Sequence, residues 1–149
     1  MAENSKREAI ILSDIALIES IPAIKTVARR LPSFSDLQSF ASTQFPAVAV
    51  VGRIPVPVNH VQSRNGQVDL IVSELRVDAY VFIHENVNAD AKISNILDDF
   101  WAVLYTNPTR NNLCMFTSLE ATETTETWPP FVAFQLTCFH KYQHSIGGI

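Results

Sequence analysis

The sequence predicts an α+β domain, and three observations lead there. Apolar residues recur at helical spacing in two separated segments. Val and Ile together number 27, a load that favours strands, and other segments carry the shorter strand period. The strands also follow one another in pairs rather than alternating strictly with helices, which places the helices on one face of an antiparallel sheet. The expected architecture is a mostly antiparallel sheet of about four strands, with two main helices packed on it and a projecting β-hairpin. At 149 residues, 47% of them hydrophobic and 17% charged, the chain fits one domain spanning residues 1–149.

Helix one starts at Ser5-Lys6-Arg7-Glu8, which has capping-box spacing. Its stripe is Ile11, Leu12, Ile15, Ile18 and Ile21, and Pro22 closes it. Ile24–Leu31 reads as a short first strand, which Arg29-Arg30 assigns to an edge. Phe34–Phe45 holds one or two helical turns opened by Ser35-Asp36.

The period then changes. Pro46–Pro57 is a strand whose first half is apolar on both faces. Pro55 and Pro57 cannot donate to a ladder, so the second half runs at a sheet edge or beyond the sheet. Asn65-Gly66 is a turn signal, and Val68–Ile83 is the long strand beyond it. Leu75, Val77, Ala79, Val81 and Ile83 share one face. Val68, Leu70 and Val72 are out of phase with them, which predicts a bulge near Ser73-Glu74. Together the two segments make a hairpin whose tip extends past the core.

Asn88 caps helix two, whose apolar stripe runs Ile93, Ile96, Leu97, Phe100, Trp101, Leu104 and Tyr105 before Asn107-Pro108 ends it. Asn112–Ser118 and Phe131–Tyr142 are the last strands, and Gln143–Ile149 is expected to be loose.

Little in the sequence suggests reaction chemistry. A net charge of −4 disfavours a general nucleic-acid binder, which needs a basic surface to displace counterions. The apolar stretch Ala9–Ala23 is too short and too interrupted by Asp14, Glu19 and Pro22 to span a bilayer. No secretory signal stands at the start, so a soluble product made in the cytoplasm is expected. The four glycines cannot build a phosphate-cradling loop, and no nucleophile elbow or Cys-x-x-Cys is present. Cys114 and Cys138 read as two buried reduced thiols, with a disulfide between paired strands as the other reading.

The histidines fare no better. His140 and His144 on one strand would lie about 13 Å apart at ~3.3 Å per residue, too far to clasp an ion, and are expected to be solvated. Cys138 and His140 share a strand face at about 6–7 Å, beyond hydrogen-bond reach. His84-Glu85 reads as a surface pair, and Asp98-Asp99 as the solvated side of helix two. No catalytic, cofactor-binding or metal residue is assigned, no cofactor is expected, and the chain is not expected to be an enzyme.

The surface is more informative. The hairpin arm carries Ile54, Val56 and Val58 beside prolines, with Arg53, His60 and Arg64 close by. Exposed apolar residues of this kind mark a contact surface, unless the arm folds back on its own sheet. The face of the long strand opposite the core carries Arg76, Asp78, Tyr80 and Phe82. Charge mixed with aromatics suits a subunit interface, with a solvated face as the alternative.

Several phrases carry a family likeness. An N-terminal helix leads into Ile21-Pro22-Ala23-Ile24-Lys25-Thr26-Val27, and Phe45-Pro46-Ala47-Val48-Ala49-Val50 follows. Leu75–Ile83 contains Val-Asp-Ala-Tyr-Val, an amphipathic helix comes at once, and a pair of strands ends the chain. In order, length and phrasing this resembles the tail terminator (tail completion) proteins of long-tailed bacteriophages, over nearly all 149 residues.

The resemblance implies a small α+β virion subunit, forming a hexameric ring at the head-proximal end of the tail. Its partners would be further copies of itself, the tail tube protein and a head or neck connector, with genomic DNA only passing through the lumen and no membrane involved. The ring would stop tube polymerisation and offer the head its docking surface. A head–tail joining protein, a small α+β ligand-binding or enzymatic domain and a tail tube subunit are the alternatives.

Overall fold

The computed structural model describes residues 6–30, 45–62, 68–83, 89–122, 127–128 and 131–145. Its element order is α1 (Lys6–Glu19), β1 (Thr26–Ala28), β2 (Ala47–Gly52), β3 (Val56–Gln62), β4 (Val68–Ile83), α2 (Ala89–Leu104), β5 (Phe116–Thr122), β6 (Thr127–Trp128) and β7 (Phe131–Ser145). The fold is α+β, as the sequence predicts. The expected capping box at Ser5, the turns within 31–44, the Asn65-Gly66 turn with Arg64, and the Asn88 cap fall outside the described residues.

All the described strands join one sheet, more than the four expected. Its path is β1-β2-β4-β7-β5, with β3 pairing β4 and β6 pairing β7. β1 joins β2 in parallel, and every other described pairing is antiparallel. β2 and β3 run in succession along the same side of β4, at Val77–Phe82 and Val68–Glu74 respectively. The Arg53 amide continues the ladder between them by donating to the Arg76 carbonyl at 2.9 Å.

This is the expected hairpin, but it does not stand free of the core as a bare arm. β7 accompanies β4 on its other side from Ile83↔Val132 to Leu70↔Ser145. The predicted tail at Gln143 is therefore strand as far as Ser145, because its carbonyls and amides have β4 to pair with. The β4–β7 ladder also carries no slip at Ser73-Glu74. The irregularities lie along β3 instead, between Pro57 and Asn59 and between Val61 and Gln62. Val58 is thus the extra residue opposite Ser73 and Val72. Proline at 57 lacks the donor that an unbroken ladder needs.

Regular alternation assigns the two faces of the sheet. Leu75, Val77, Ala79, Val81 and Ile83 of β4 pack with Phe134, Leu136 and Cys138 of β7 and Val48 and Val50 of β2. Ile10, Ile11 and Ile18 of α1 and Ile96, Phe100 and Leu104 of α2 close over them. Both helices therefore lie on one face. Gly52 marks the closest approach of α1, since a Cβ there would lie 2.4 Å from the Ile11 Cδ1. The opposite face has a smaller cluster of Phe45, Ala47, Ala49 and Phe82. β5 begins at Phe116, four residues after the predicted start, because 107–115 forms a turn in which Arg110, Asn111 and Asn112 all have positive φ.

Candidate functional site

Two polar constellations stand out, one on each face of the sheet. The outer one contains the residues singled out in the sequence. Asp78 pairs with Val51 and Thr137 across the centre of the sheet, so its side chain emerges on the face away from the helices. It is fully buried there. Arg53 Nε donates to its Oδ2 at 2.6 Å and Arg76 Nε to its Oδ1 at 2.8 Å. The Thr137 hydroxyl also donates to Oδ1, at 2.8 Å. Arg53 Nη2 reaches the Tyr80 hydroxyl at 2.6 Å.

Burial alone would push the Asp78 carboxyl up, but hydrogen bonds from Arg76, Arg53 and Thr137, with the charge of Arg76, hold it below the usual carboxylate range. The same contacts raise Arg53 against its own desolvation. The two guanidiniums are consequently fixed at their inner ends, while their side chains remain 44% and 48% exposed.

Beside them Ile54 is 85% exposed, Val56 60% and Val58 49%. Arg53, Arg76, Asp78 and Tyr80 thus form one bonded group with an apolar margin. Phe82 does not join its surface, being buried against Phe45, Ala47 and Ala49. His60 pairs with Ile71 in the ladder, while its side chain, like all of Arg64, lies outside the described residues.

The inner constellation is Asp14, Arg110, His140 and Thr117, with Cys114 and Cys138 beside them. Only the two thiols and His140 attract notice in the sequence. All six are buried, and the expectation that His140 and His144 are solvated is wrong. His140 sits on the helix face of β7, paired with Leu75 and Thr117, so α1 closes over it. His144 lies further along that face, where its Nε2 is 2.8 Å from the Ser73 hydroxyl and its ring packs near Tyr142. Both cysteines are free thiols.

Asp14 lies on the buried stripe of α1 between Ile11 and Ile18. Its Oδ1 accepts from Arg110 Nε at 2.8 Å, and its Oδ2 faces His140 Nε2 at 2.6 Å. Arg110 Nη1 donates to the carbonyls of Leu104 and Asn107, which ties the end of α2 to the same group. Its Nη2 is buried without a partner among the described residues.

Donor bookkeeping fixes the protons. The Thr117 hydroxyl donates to the Pro108 carbonyl at 2.8 Å, since a carbonyl only accepts. Its oxygen, 2.7 Å from His140 Nδ1, therefore accepts from that nitrogen. Nε2 in turn faces the Asp14 carboxylate, whose other oxygen accepts from Arg110. Both ring nitrogens of His140 are thus placed beside acceptors, an arrangement that favours the protonated ring. Burial would lower its pKa, but hydrogen bonds with Asp14 and Cys114 and the Asp14 charge raise it above the ordinary value, against a smaller opposing effect of Arg110. Burial pushes the Cys138 thiol well up, and the nearby Asp14 charge adds to this.

Asp14, Cys138 and His140 also offer ligand atoms within 4.8 Å of one another. A divalent cation there would have to displace the proton on His140 Nε2 and the Cys138 proton, beside the Arg110 cation. As arranged, each carboxylate oxygen already meets one partner, Arg110 or His140, and the group acts as a clamp joining α1, the 107–115 turn, β5 and β7. Asp14, His140 and Thr117 are each exposed by no more than 1%.

Sequence inspection could have found Asp14 as a carboxylate on an apolar helical stripe. Arg110 and Thr117 give no such signal, since the positive-φ turn that delivers Arg110 inward is not readable from Thr109-Arg110-Asn111. No protein-family model matches the chain, and no curated protein sequence matches it either. Among the described residues no helix is long and apolar enough to cross a membrane.

Proposed function

We propose that this chain is a structural virion subunit that closes into a ring, with six copies, on the head-proximal end of a long-tailed phage's tail tube. There it ends tube growth and presents the surface on which the filled head docks. The reading rests on the order of elements: helix, short edge strand, long hairpin, second helix and closing strand pair. That order resembles the tail terminator family named above.

One observation carries the structural rather than chemical role. The cluster of titratable groups around Asp14, the densest among the described residues, is closed to solvent, whereas the exposed group at Arg53 and Arg76 has Ile54, Val56 and Val58 exposed nearby in the chain. Buried ion pairs of the first kind orient elements, and exposed surfaces of the second kind contact proteins. A tube grows because each ring recruits the next, so ending growth takes a ring that recruits on one side only. A net charge of −4 per chain, repeated around such a ring, would repel the phosphate backbone sliding through the lumen.

Deleting the gene for this protein tests the reading. The expected phenotype is tails of uncontrolled length, or unfinished tails, that fail to join filled heads. Normal tails beside leaky heads would instead identify a head–tail joining protein. An undisturbed virion would remove both.

A further inference from the structure

The outer arginine pair has a counterpart on the other side of the molecule. α2 exposes Ala91, Ser94 and Asn95 along the stripe that leads to Asp98 and Asp99, and Trp101 follows at 37% exposure. Small residues at its start let another surface approach closely, and two adjacent carboxylates and an indole edge follow. On the opposite face of the sheet, Arg53 and Arg76 extend from the buried Asp78, and Ile54, next to Arg53 in the chain, is exposed.

We propose that these two faces meet between copies of this chain: Asp98, Asp99 and Trp101 of one copy dock against Arg53, Arg76 and Ile54 of the next. The inference rests on the ring reading above and names the surfaces that build the ring. Charge complementarity favours a second copy as the occupant, because each chain carries both the acidic-aromatic and the basic-apolar half.

Preorganisation adds to it. Each guanidinium is already fixed at Nε by Asp78, so less side-chain freedom is lost when the exposed end meets a carboxylate or stacks on an indole. The two halves lie on opposite faces of the sheet, so one chain cannot satisfy both. The contact is head-to-tail, and head-to-tail contacts close into rings when the rotation permits.

Two variants break opposite halves at exposed positions, away from the Asp78 group. Asp98→Lys/Asp99→Lys spoils the helix face, and Ile54→Ser/Val56→Ser strips the apolar part of the β2–β3 face. Solution mass is measured across protein concentration, with thermal melting of each variant confirming a folded domain. The wild-type chain is expected to associate, and less so as ionic strength rises. Each variant alone should need at least a tenfold higher concentration to do so.

Mixed in equal amounts, the variants should stop at a one-to-one pair, since one intact half remains on each partner. Either variant associating like wild type overturns the proposed contact. So does a mixture that makes no pair, or a wild-type chain that stays monomeric at every concentration. Tail length in the deletion phage judges the ring reading separately.

Discussion

Asp14 and His140 are separated by 126 positions in the chain and meet at 2.6 Å in the core. Their contact ties the first helix to the last strand, and Arg110 completes it from the turn after α2. A carboxylate removed from water on this scale needs both cations. Replacing it leaves two buried charges without compensation, the costly case for internal ion pairs. Asp14→Asn is expected to destabilise the fold by about 3–5 kcal/mol, the cost of breaking such a pair. Urea denaturation followed by tryptophan fluorescence and circular dichroism checks this, and a loss well under 1 kcal/mol would show the clamp to be idle.

The same contact has a pH signature. His140 holds its proton more tightly in the folded chain than in the unfolded one. Its contribution is therefore complete below the unfolded value of about 6.5 and is lost as pH rises through the raised folded value. Wild-type stability should decline as pH rises from the unfolded value through the raised folded one. His140→Gln should be less stable at pH 6 and should lack this decline. Parallel slopes for the two proteins would show that the imidazole is not the titrating group.

Asp78 gives the opposite sign. Its folded pKa is lowered by Arg76, Arg53 and Thr137 in spite of burial. The stabilisation is present above the unfolded value of about 3.9 and disappears as pH falls through the lowered folded value. Asp78→Asn should cost about 1–3 kcal/mol near neutrality, a charged hydrogen-bond loss softened by the solvent around its half-exposed partners. Acid titration of the variant should show a shallower loss of stability below pH 4 than that of wild type.

Packing between α1 and β2 can be tested with a pair of substitutions. A Cβ at Gly52 would fall 2.4 Å from Ile11 Cδ1 and 3.1 Å from its Cγ1. Gly52→Ala is expected to destabilise by about 1–3 kcal/mol through overpacking. Ile11→Val removes the methyl group in the way, at a cost of about 0.5–1.5 kcal/mol on its own. The double variant should be more stable than the sum of the two losses predicts, and simple additivity would mean that the helix moves aside freely.

The sequence was most readable where one physical signal dominates. Ile96, Phe100 and Leu104 announce α2 by spacing, and Leu75 to Ile83 announce the inner face of β4 by alternation. Ile54, Val56 and Val58 were recognisable as a surface because the flanking prolines limit ladder pairing. The Asp14 cluster was hidden for a different reason. Its members come from α1, a left-handed turn, β5 and β7, and only tertiary pairing brings them together. His144 looks solvated when the chain after Tyr142 is read as a tail, and His140 looks so because the strand alone does not show that α1 closes over it. His144 becomes part of the sheet once β4 is seen to offer a partner for every residue through Ser145. The slip expected at Ser73 belonged to the neighbouring strand, since a phase change in one sequence does not say which member of a pair yields.

β7 occupies the middle of the sheet, between β4 and β5, yet residues 131–145 are translated after both. While the ribosome is still making them, the earlier strands have lost neither their open edges nor their unpaired amides. The domain consequently has no early half that can mature alone, and its nucleus must await contacts of long sequence separation. For that interval the nascent polypeptide exposes the long β4 segment to whatever chaperones or sister chains are nearby.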